Sequence, residues 1–587
     1  MPQGWLQIAI FVIVVIALTP LLGGYMARVY MPGNKLALER VLGPFERLLY
    51  RIFRVDVREG QDWKRYARSV LAFSLLGWLA MYLILRTQTI HPWSNYPGET
   101  FHSGTWDVTF NTVSSFITNT NWQFYGGETT LTYFSQMTAM TVQNFLSAAV
   151  GIVVLIAMIR GIAGRSGKSL GNFWQDLVRT VLYILLPLAF IGTLLLVSQG
   201  VIQNLSHYTI AHTLAGGEQK LAQGPVASQI AIKQLGTNGG GFFNTNSSYP
   251  FENATPFSNF IEMLFIILIP ASLTYTYGRM VGSRRQGWAI FAAMAVLWIG
   301  GIGVTYVAEQ HGTPAQHAAG VSTKAIAGST GGNMEGKEQR FGIANSSLWA
   351  VTTTVTSNGS VNSALESFTA LGGAVPMVDL GMSETVFGGV GSGLYGMLVF
   401  VLLAVFLGGL MVGRTPEYLG KKIGAKEIKL VSLAALATPL IALMTTGAAV
   451  ASAAGRESIF AKGPQGFSES LYAYLSQANN NGSAFAGYTG YIQPNPGNLG
   501  AHGVKLADIL GGFTMLSARF IPILLVLAIG GALAGKKVSP AGLGTMRTDT
   551  PTFVVLLIGV VVLVGALTFF PALLLGPIVQ SLTTHVF

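Results

Sequence analysis

The chain has no cysteine, and only 10% of its 587 residues are charged. The first absence removes disulfides, thiolate metal sites and cysteine nucleophiles together, and it leaves the redox compartment unread. The second, with a mean hydropathy of +0.51 and apolar runs throughout the chain, excludes a soluble enzyme and implies an integral membrane protein. Catalytic signatures are also missing. There is no G-x-x-x-x-G-K-[ST] phosphate loop, because "GRSGKSL" at 164–170 lacks the properly spaced first glycine. Neither the Asp-Lys-Thr-Gly-Thr stretch of P-type ATPases nor His-Glu-x-x-His occurs, so the chain is expected to hold no ATP site and no catalytic residue. No basic run is interleaved with aromatics, so nucleic acid is not an expected partner.

What is present is glycine and proline, 72 and 23 residues, more than uninterrupted spanning helices need. Bent, broken or closely packed membrane helices are expected. Apolar runs place about ten of them near 5–27, 70–86, 132–159, 180–199, 257–278, 288–308, 391–413, 430–450, 511–534 and 552–575. The first lacks a basic n-region and a small-residue cleavage site, so it reads as an uncleaved helix rather than a signal peptide. Segments 28–68, 160–179, 279–286, 414–429 and 535–551 hold 25 lysines and arginines, whereas the alternate connections hold eight. The basic set marks the cytoplasmic side, which turns both termini outward and accounts for the net charge of +11.

Each outward connection contains a short polar stretch before a returning helix: "SSFITNTNWQ" at 114–123, "KQLGTNGGGFFN" at 233–244, "TTTVTSNGSVNS" at 352–363 and "SQANNNGSAFAG" at 476–487. Aligning Asn119, Asn238, Asn358 and Asn481 gives separations of 119, 120 and 123 residues. Four repeats follow, at 70–179, 180–287, 288–429 and 430–551, between an N-terminal helix with its basic loop (1–69) and a C-terminal helix (552–587). All four return helices run the same way, so the units are parallel and suit a pseudo-fourfold pore. Non-helical backbone at membrane depth is tolerated only inside protein or beside water, and glycine and asparagine most readily accept the positive φ that turns carbonyls toward a common axis. Hydroxyls of Thr118, Thr237 and Ser357 and the amide oxygen of Asn480 could add a layer. The four stretches contain no acidic residue. Neutral oxygen dipoles without carboxylates favour K⁺ over Ca²⁺ or Mg²⁺. A single x-Asn-Gly would be read as an ordinary turn; four at even spacing are read as an ion site.

Two further features stand out. Gly389, Gly391 and Gly393, in "ETVFGGVGSGLYGMLVF", would weaken an ordinary helix and suit either close packing or a break. Arg519 lies inside an apolar segment, where a charge is functional unless it snorkels to a helix end. Asp107, Glu128, Glu252, Glu366 and Asp379 read as vestibule or capping groups.

"TNTNWQ", "GTNGGGFFNTNSSYPFENATP", "TTTVTSNGSVNS", "GVGSGLYGM" and "GRTPEYLGKKI" resemble the family of potassium-binding A subunits (KdpA) of the bacterial Kdp potassium-uptake ATPase, from about residue 5 to the C-terminus. The resemblance implies an all-α member of the superfamily of K⁺ transporters, with four M1–pore helix–M2 units and one extra helix at each end. It assigns the filter to Thr118, Asn119, Thr120 and Asn121; Thr237, Asn238 and Gly239; Ser357, Asn358 and Gly359; and Asn480, Asn481 and Gly482. The first unit departs from the pattern, with Thr120 where the others have glycine. By the same resemblance the helix around Gly389, Gly391 and Gly393 is broken by an intramembrane loop that gates, and Arg519 limits leak below the filter. Arg414, Lys421 and Lys422 face the ATP-hydrolysing subunit, although positive-inside orientation alone accounts for them. Implied partners are a P-type catalytic subunit (KdpB), a C subunit (KdpC) and a small single-helix F subunit (KdpF), in the bacterial inner membrane. An autonomous K⁺ channel or an ion-coupled K⁺ symporter is the alternative.

Overall fold

The computed structural model describes residues 2–582 apart from 32, 34–35, 37, 92–100, 103, 165–166, 327–329, 491–503 and 541–544. Among the described residues ten helices are long and apolar enough to cross a membrane. The chain opens with the span α1 (Pro2–Tyr30) and a short helix α2 (Glu39–Ile52) where the sequence suggested only a basic loop. Four units follow, each an outbound helix, a pore helix and a return. The first is α3 (Trp63–Arg86), α4 (Trp106–Ile117) and α5 (Tyr133–Ala163). The second is α6 (Phe173–Ser198), α7 (Val226–Leu235) and α8 (Pro256–Met280), with a small hairpin of β1 (Thr209–His212) and β2 (Glu218–Leu221) before its pore helix.

In the third unit α9 (Arg284–His311) and α10 (Gly342–Val355) lead to a return in two pieces, α11 (Ala370–Gly381) and α12 (Ser392–Met411). The apolar run at 391–413 is therefore only the second half of that return. The loop between the pieces has positive φ at Ser383, Glu384, Phe387, Gly388 and Gly391, a run of conformations that no helix contains. A tight pair, β3 (Glu417–Tyr418) and β4 (Lys421–Lys422), precedes the fourth unit of α13 (Ala425–Ala451), α14 (Gly463–Ala478) and α15 (Leu506–Ala534). The span α16 (Pro551–Leu573) closes the chain.

Local chemistry starts these helices where they start. Thr255 and Ser258 cap each other's backbone N–H with Pro256 in the first position of α8, and Thr550 with Pro551 opens α16 in a similar way. Small residues then let backbones meet. A methyl at Gly161 of α5 would collide with Gly530 of α15, and one at Gly23 of α1 with the Ser272 carbonyl of α8, the close approach by which membrane helices pack. The apolar stretches of α5 and α8 are 83% buried, against 28% for α1 and α16, so these two return helices form the centre and the terminal helices the rim.

Candidate functional site

All four pore helices end in the same backbone figure. Two residues with positive φ flank one that lacks it: Asn119 (73°) and Asn121 (54°), Thr237 (49°) and Gly239 (81°), Ser357 (49°) and Gly359 (91°), Asn480 (51°) and Gly482 (95°). The middle residues Thr120, Asn238, Asn358 and Asn481 donate their N–H groups to carbonyls five residues back, those of Ser115, Lys233, Thr353 and Ser476, at 2.8–2.9 Å. This corrects the alignment of the first unit by one residue. Thr120, not Asn119, is the counterpart of Asn238, Asn358 and Asn481, and Asn121 stands where the other units have glycine. Asparagine enters the left-handed region at small cost, so the conformation repeats although the letter does not. The same shift removes Thr118 from the expected hydroxyl layer: it caps α4, its hydroxyl donating to the Ser114 carbonyl at 2.8 Å and bonding Thr120 Oγ1.

The four turns interlock in a closed ring. A methyl at Gly239 would overlap the carbonyl of Asn358, one at Gly359 that of Asn481, and one at Gly482 that of Thr120. Side-chain amides brace the same junctions. Asn119 Nδ2 donates to the Thr237 carbonyl (2.8 Å), Asn358 Nδ2 to the Lys233 carbonyl (3.3 Å), Asn481 Nδ2 to the Thr353 carbonyl (2.8 Å) and Asn480 Nδ2 to Thr120 Oγ1 (2.9 Å). Asparagine nitrogens thus serve the neighbouring turn. Ser357 Oγ, Asn121 Oδ1 and Asn238 Oδ1 are buried without a hydrogen-bond partner among the described residues. Together with the turn carbonyls they make a set of neutral oxygens with no carboxylate, the chemistry that suits a hard monovalent cation.

Behind the second turn is a charged network that the sequence assigned to the outer loops. Lys233 Nζ lies 2.7 Å from Glu252 Oε2, with both side chains fully buried. Lys233 also donates to Asn246 Oδ1 (2.8 Å), and Asn246 Nδ2 in turn donates to the Gly239 carbonyl (2.6 Å). Glu252 is therefore not a vestibule group. Removing one partner of a buried pair strands the other charge, so Lys233→Met is expected to destabilise the protein by about 3–5 kcal/mol. Thermal unfolding in detergent checks this, and Rb⁺ binding should weaken with it because the Gly239 carbonyl loses its anchored partner. Asp107 and Asp379 are also buried, Asp107 Oδ2 accepting from the Lys505 N–H and Asp379 Oδ2 from the Thr354 hydroxyl.

The loop of the broken return packs against the ends of the second and third pore helices. The Val390 N–H donates to Thr237 Oγ1 (2.9 Å) and the Gly388 N–H to the Val355 carbonyl (2.8 Å), tying the loop to the second and third turns. Gly391 abuts the backbone of Gly151 and Ile152 in α5, Gly393 abuts Phe387 of the loop itself, and Gly389 lies near Thr237 and Glu384. Close packing thus accounts for Gly391 and Gly393. Arg519 is mid-helix and 4% exposed, with its guanidinium beside Gly151, so it does not snorkel. It shares a cavity of about 40 Å³ with Ser383, Glu384, Ser392, Tyr395 and Asn480, room enough for a water. Glu384 was missed from the sequence, where a lone glutamate before "TVFGG" carries no pattern.

At the basic, C-terminal ends of the return helices, the β3–β4 pair follows α12 and reaches the other three. Tyr418 and Lys421 are direct partners across it. The Tyr418 hydroxyl bonds that of Tyr277 near the end of α8, while Lys421 Nζ donates to the carbonyls of Gly161 in α5 (2.8 Å) and Leu533 in α15 (2.9 Å). Its turn residues Leu419 (φ 47°) and Gly420 (φ 78°) are both left-handed, as a two-residue hairpin requires. Lys421 is 1% exposed, and burial pulls its ammonium down to about 8. It is therefore not a surface contact, in contrast to Arg414 and Lys422, which are exposed.

Comparison with known proteins adds to this geometry. A family model described as the potassium-transporting ATPase A subunit matches residues 9–582. Curated relatives named "Potassium-transporting ATPase potassium-binding subunit" include one from Rhodospirillum centenum, 53% identical over 99% of this chain and 98% of its own. One from Herpetosiphon aurantiacus is 52% identical over 98% of both chains, and one from Mycobacterium tuberculosis 51% identical over 99% of both. Among solved structures, the potassium transporter TrkH from Vibrio parahaemolyticus matches with a TM-score of 0.50 over 88% of this chain and 97% of its own. At 14% identity that likeness concerns the fold.

Proposed function

Because the chain belongs to the family of potassium-transporting ATPase A subunits, the potassium-binding and not the ATP-hydrolysing component, we propose that its four interlocked turns are the filter that selects K⁺ for uptake. The observation that carries this reading is the closed ring: four backbone figures of one kind, each held by its neighbour and offering only neutral oxygens. The 25-to-8 bias of lysine and arginine supports an orientation in the bacterial inner membrane with the ring and both termini on the outer side. K⁺ enters from outside, exchanges water for turn oxygens and passes to the cavity beside Glu384 and Arg519. Arg519 limits its occupancy by like charge, and the Gly389-containing loop is the element that moves as a gate.

Onward passage runs to a P-type catalytic partner of the KdpB kind, assembled with KdpC and KdpF. The β3–β4 pair supports this indirectly. It bridges the inner ends of all four return helices and sets the buried Lys421 ammonium among them, so a direct exit to the cytoplasm meets a fixed cation. Arg414 and Lys422, exposed at that face, are the side chains left to meet the partner. The test is ⁸⁶Rb⁺ binding and uptake by wild type and Gly239→Asp, with and without the catalytic subunit. Selective binding that Gly239→Asp abolishes, with uptake only under ATP hydrolysis, is the expected result. Robust uptake without the partner would identify an autonomous channel or symporter instead.

A further inference from the structure

The helix α2 is inside out. On the face turned to the protein, Glu46 is buried and accepts hydrogen bonds from Arg179 Nε (2.9 Å), the Tyr183 hydroxyl (2.6 Å) and the Tyr50 hydroxyl (2.7 Å), while Glu39 on the same face is half-buried and accepts from the Leu36 N–H. The opposite face carries Val41, Phe45, Leu48 and Ile52, which are 49–66% exposed. Their spacing of four, three and four residues makes one stripe on a helix. Arg40, Arg47 and Arg51 form a second row along the flank of that stripe, roughly 100° around the helix axis from it, and all three are exposed. A helix facing water would bury the stripe and expose the glutamate. Here Arg179 and Tyr183 of α6 anchor the polar face, so the apolar face is held outward by the fold.

The helix sits between the basic ends of the spans α1 and α3, at the level where a membrane gives way to water. An apolar stripe flanked by arginines is the pattern of a helix lying in the interface, with its apolar side among acyl chains and its cations at phosphates. We propose that α2 is a binding surface for anionic phospholipid of the bilayer, the stripe entering the acyl boundary and Arg40, Arg47 and Arg51 gripping headgroup phosphates. Charge complementarity favours lipid as the occupant: the arginine row has no acidic residue among its exposed neighbours on α2, and the leaflet on the basic side is the one that carries negative surface potential. The inference rests on the orientation proposed above.

The cysteine-free chain makes the test direct. Phe45→Cys and Leu48→Cys, labelled with a nitroxide in the complete complex in nanodiscs of phosphatidylcholine with or without phosphatidylglycerol, report whether oxygen or a water-soluble nickel chelate reaches the stripe. Preferential access by oxygen is expected in both lipids. With phosphatidylglycerol present, the Arg40→Gln, Arg47→Gln, Arg51→Gln triple variant is expected to lose on the order of a hundredfold in retained anionic lipid, while Rb⁺ binding stays intact and shows that the fold survives. Preferential access by the nickel chelate, equal retention by the triple variant, or shielding of the stripe only when a partner subunit is present would each overturn the proposal, the last in favour of a protein interface. Failure of Rb⁺ selection in wild type would instead strike the filter reading and leave the lipid result standing.

Discussion

Gly239→Ala is expected to weaken Rb⁺ binding by on the order of a hundredfold, a loss of about 2.7 kcal/mol, while Gly216→Ala leaves it within about threefold. Both glycines are left-handed, at φ 81° and 83°, so both variants carry the same backbone strain of about 1–2 kcal/mol. They differ in what the new methyl meets. At Gly216, in the turn of the β1–β2 hairpin, nothing lies within 4 Å, whereas at Gly239 the methyl overlaps the carbonyl of Asn358 in the next turn. That carbonyl must swing, and with it an oxygen of the ring. ⁸⁶Rb⁺ binding to the purified complex, competed with K⁺ and Na⁺, measures the effect. Discrimination against Na⁺ should fall together with affinity, because the ring loses both an oxygen and its fixed diameter. Equal losses in the two variants would mean that strain alone matters and that the ring does not select.

The second large effect concerns Lys421. Two unit charges about 5 Å apart at an effective dielectric of about 20 repel by ~3 kcal/mol. A K⁺ ion leaving between the return helices past this ammonium would meet a barrier of that order. Lys421→Met, which keeps the aliphatic stem out to Cε and removes the charged ammonium, is expected to raise ATP-independent Rb⁺ flux through the reconstituted complex by on the order of a hundredfold, with filter binding unchanged. Wild type should show a milder form of the same leak as pH rises. Burial brings the Lys421 ammonium down to about 8, so its charge is complete well below that pH and is lost above it. Lys421→Met should leak equally on both sides of pH 8. The Lys536–Glu427 ion pair (2.6 Å) at this end, with Lys536 also donating to the Lys422 carbonyl, holds the edge of the hairpin rather than the helix ends. A flux that ignores both the substitution and pH would remove the hairpin from the ion path.

Spans, repeats and turns were legible because each rests on a repeated local signal. Apolar runs gave ten crossings, and four polar stretches gave four turns. Where the signal lies in conformation instead of letters, the reading slipped. Thr120 and Asn121 sit in the figure that Asn238 and Gly239 define, yet no glycine announces it. Lys233 and Glu252 read as loop charges because nothing local tells that residues 19 positions apart in sequence pair in the interior. Lys421 counted as one cation of a positive-inside cluster, and only its helix-end partners, distant in the chain, take it out of that cluster. The exposed apolar face of α2 was hidden for the opposite reason. Five arginines between 40 and 58 made the segment look like a solvated loop, and its apolar residues stand out only once the helix fixes their side.

The bonds between turns also bear on how such a chain can change. They run from the first turn to the second, the third to the second, the fourth to the third and the fourth to the first, so the ring is a hoop with no free end. A hoop carries tension around its circumference, and its bore is a property of the whole. One quarter cannot be widened without slack in the other three. Although the four turns differ in letters, they are obliged to drift in concert: an Asn121 in one quarter is admissible only while its neighbours still close the circle. Gene duplication can supply four quarters that vary separately, but this hoop allows them only the variations that preserve a common circumference.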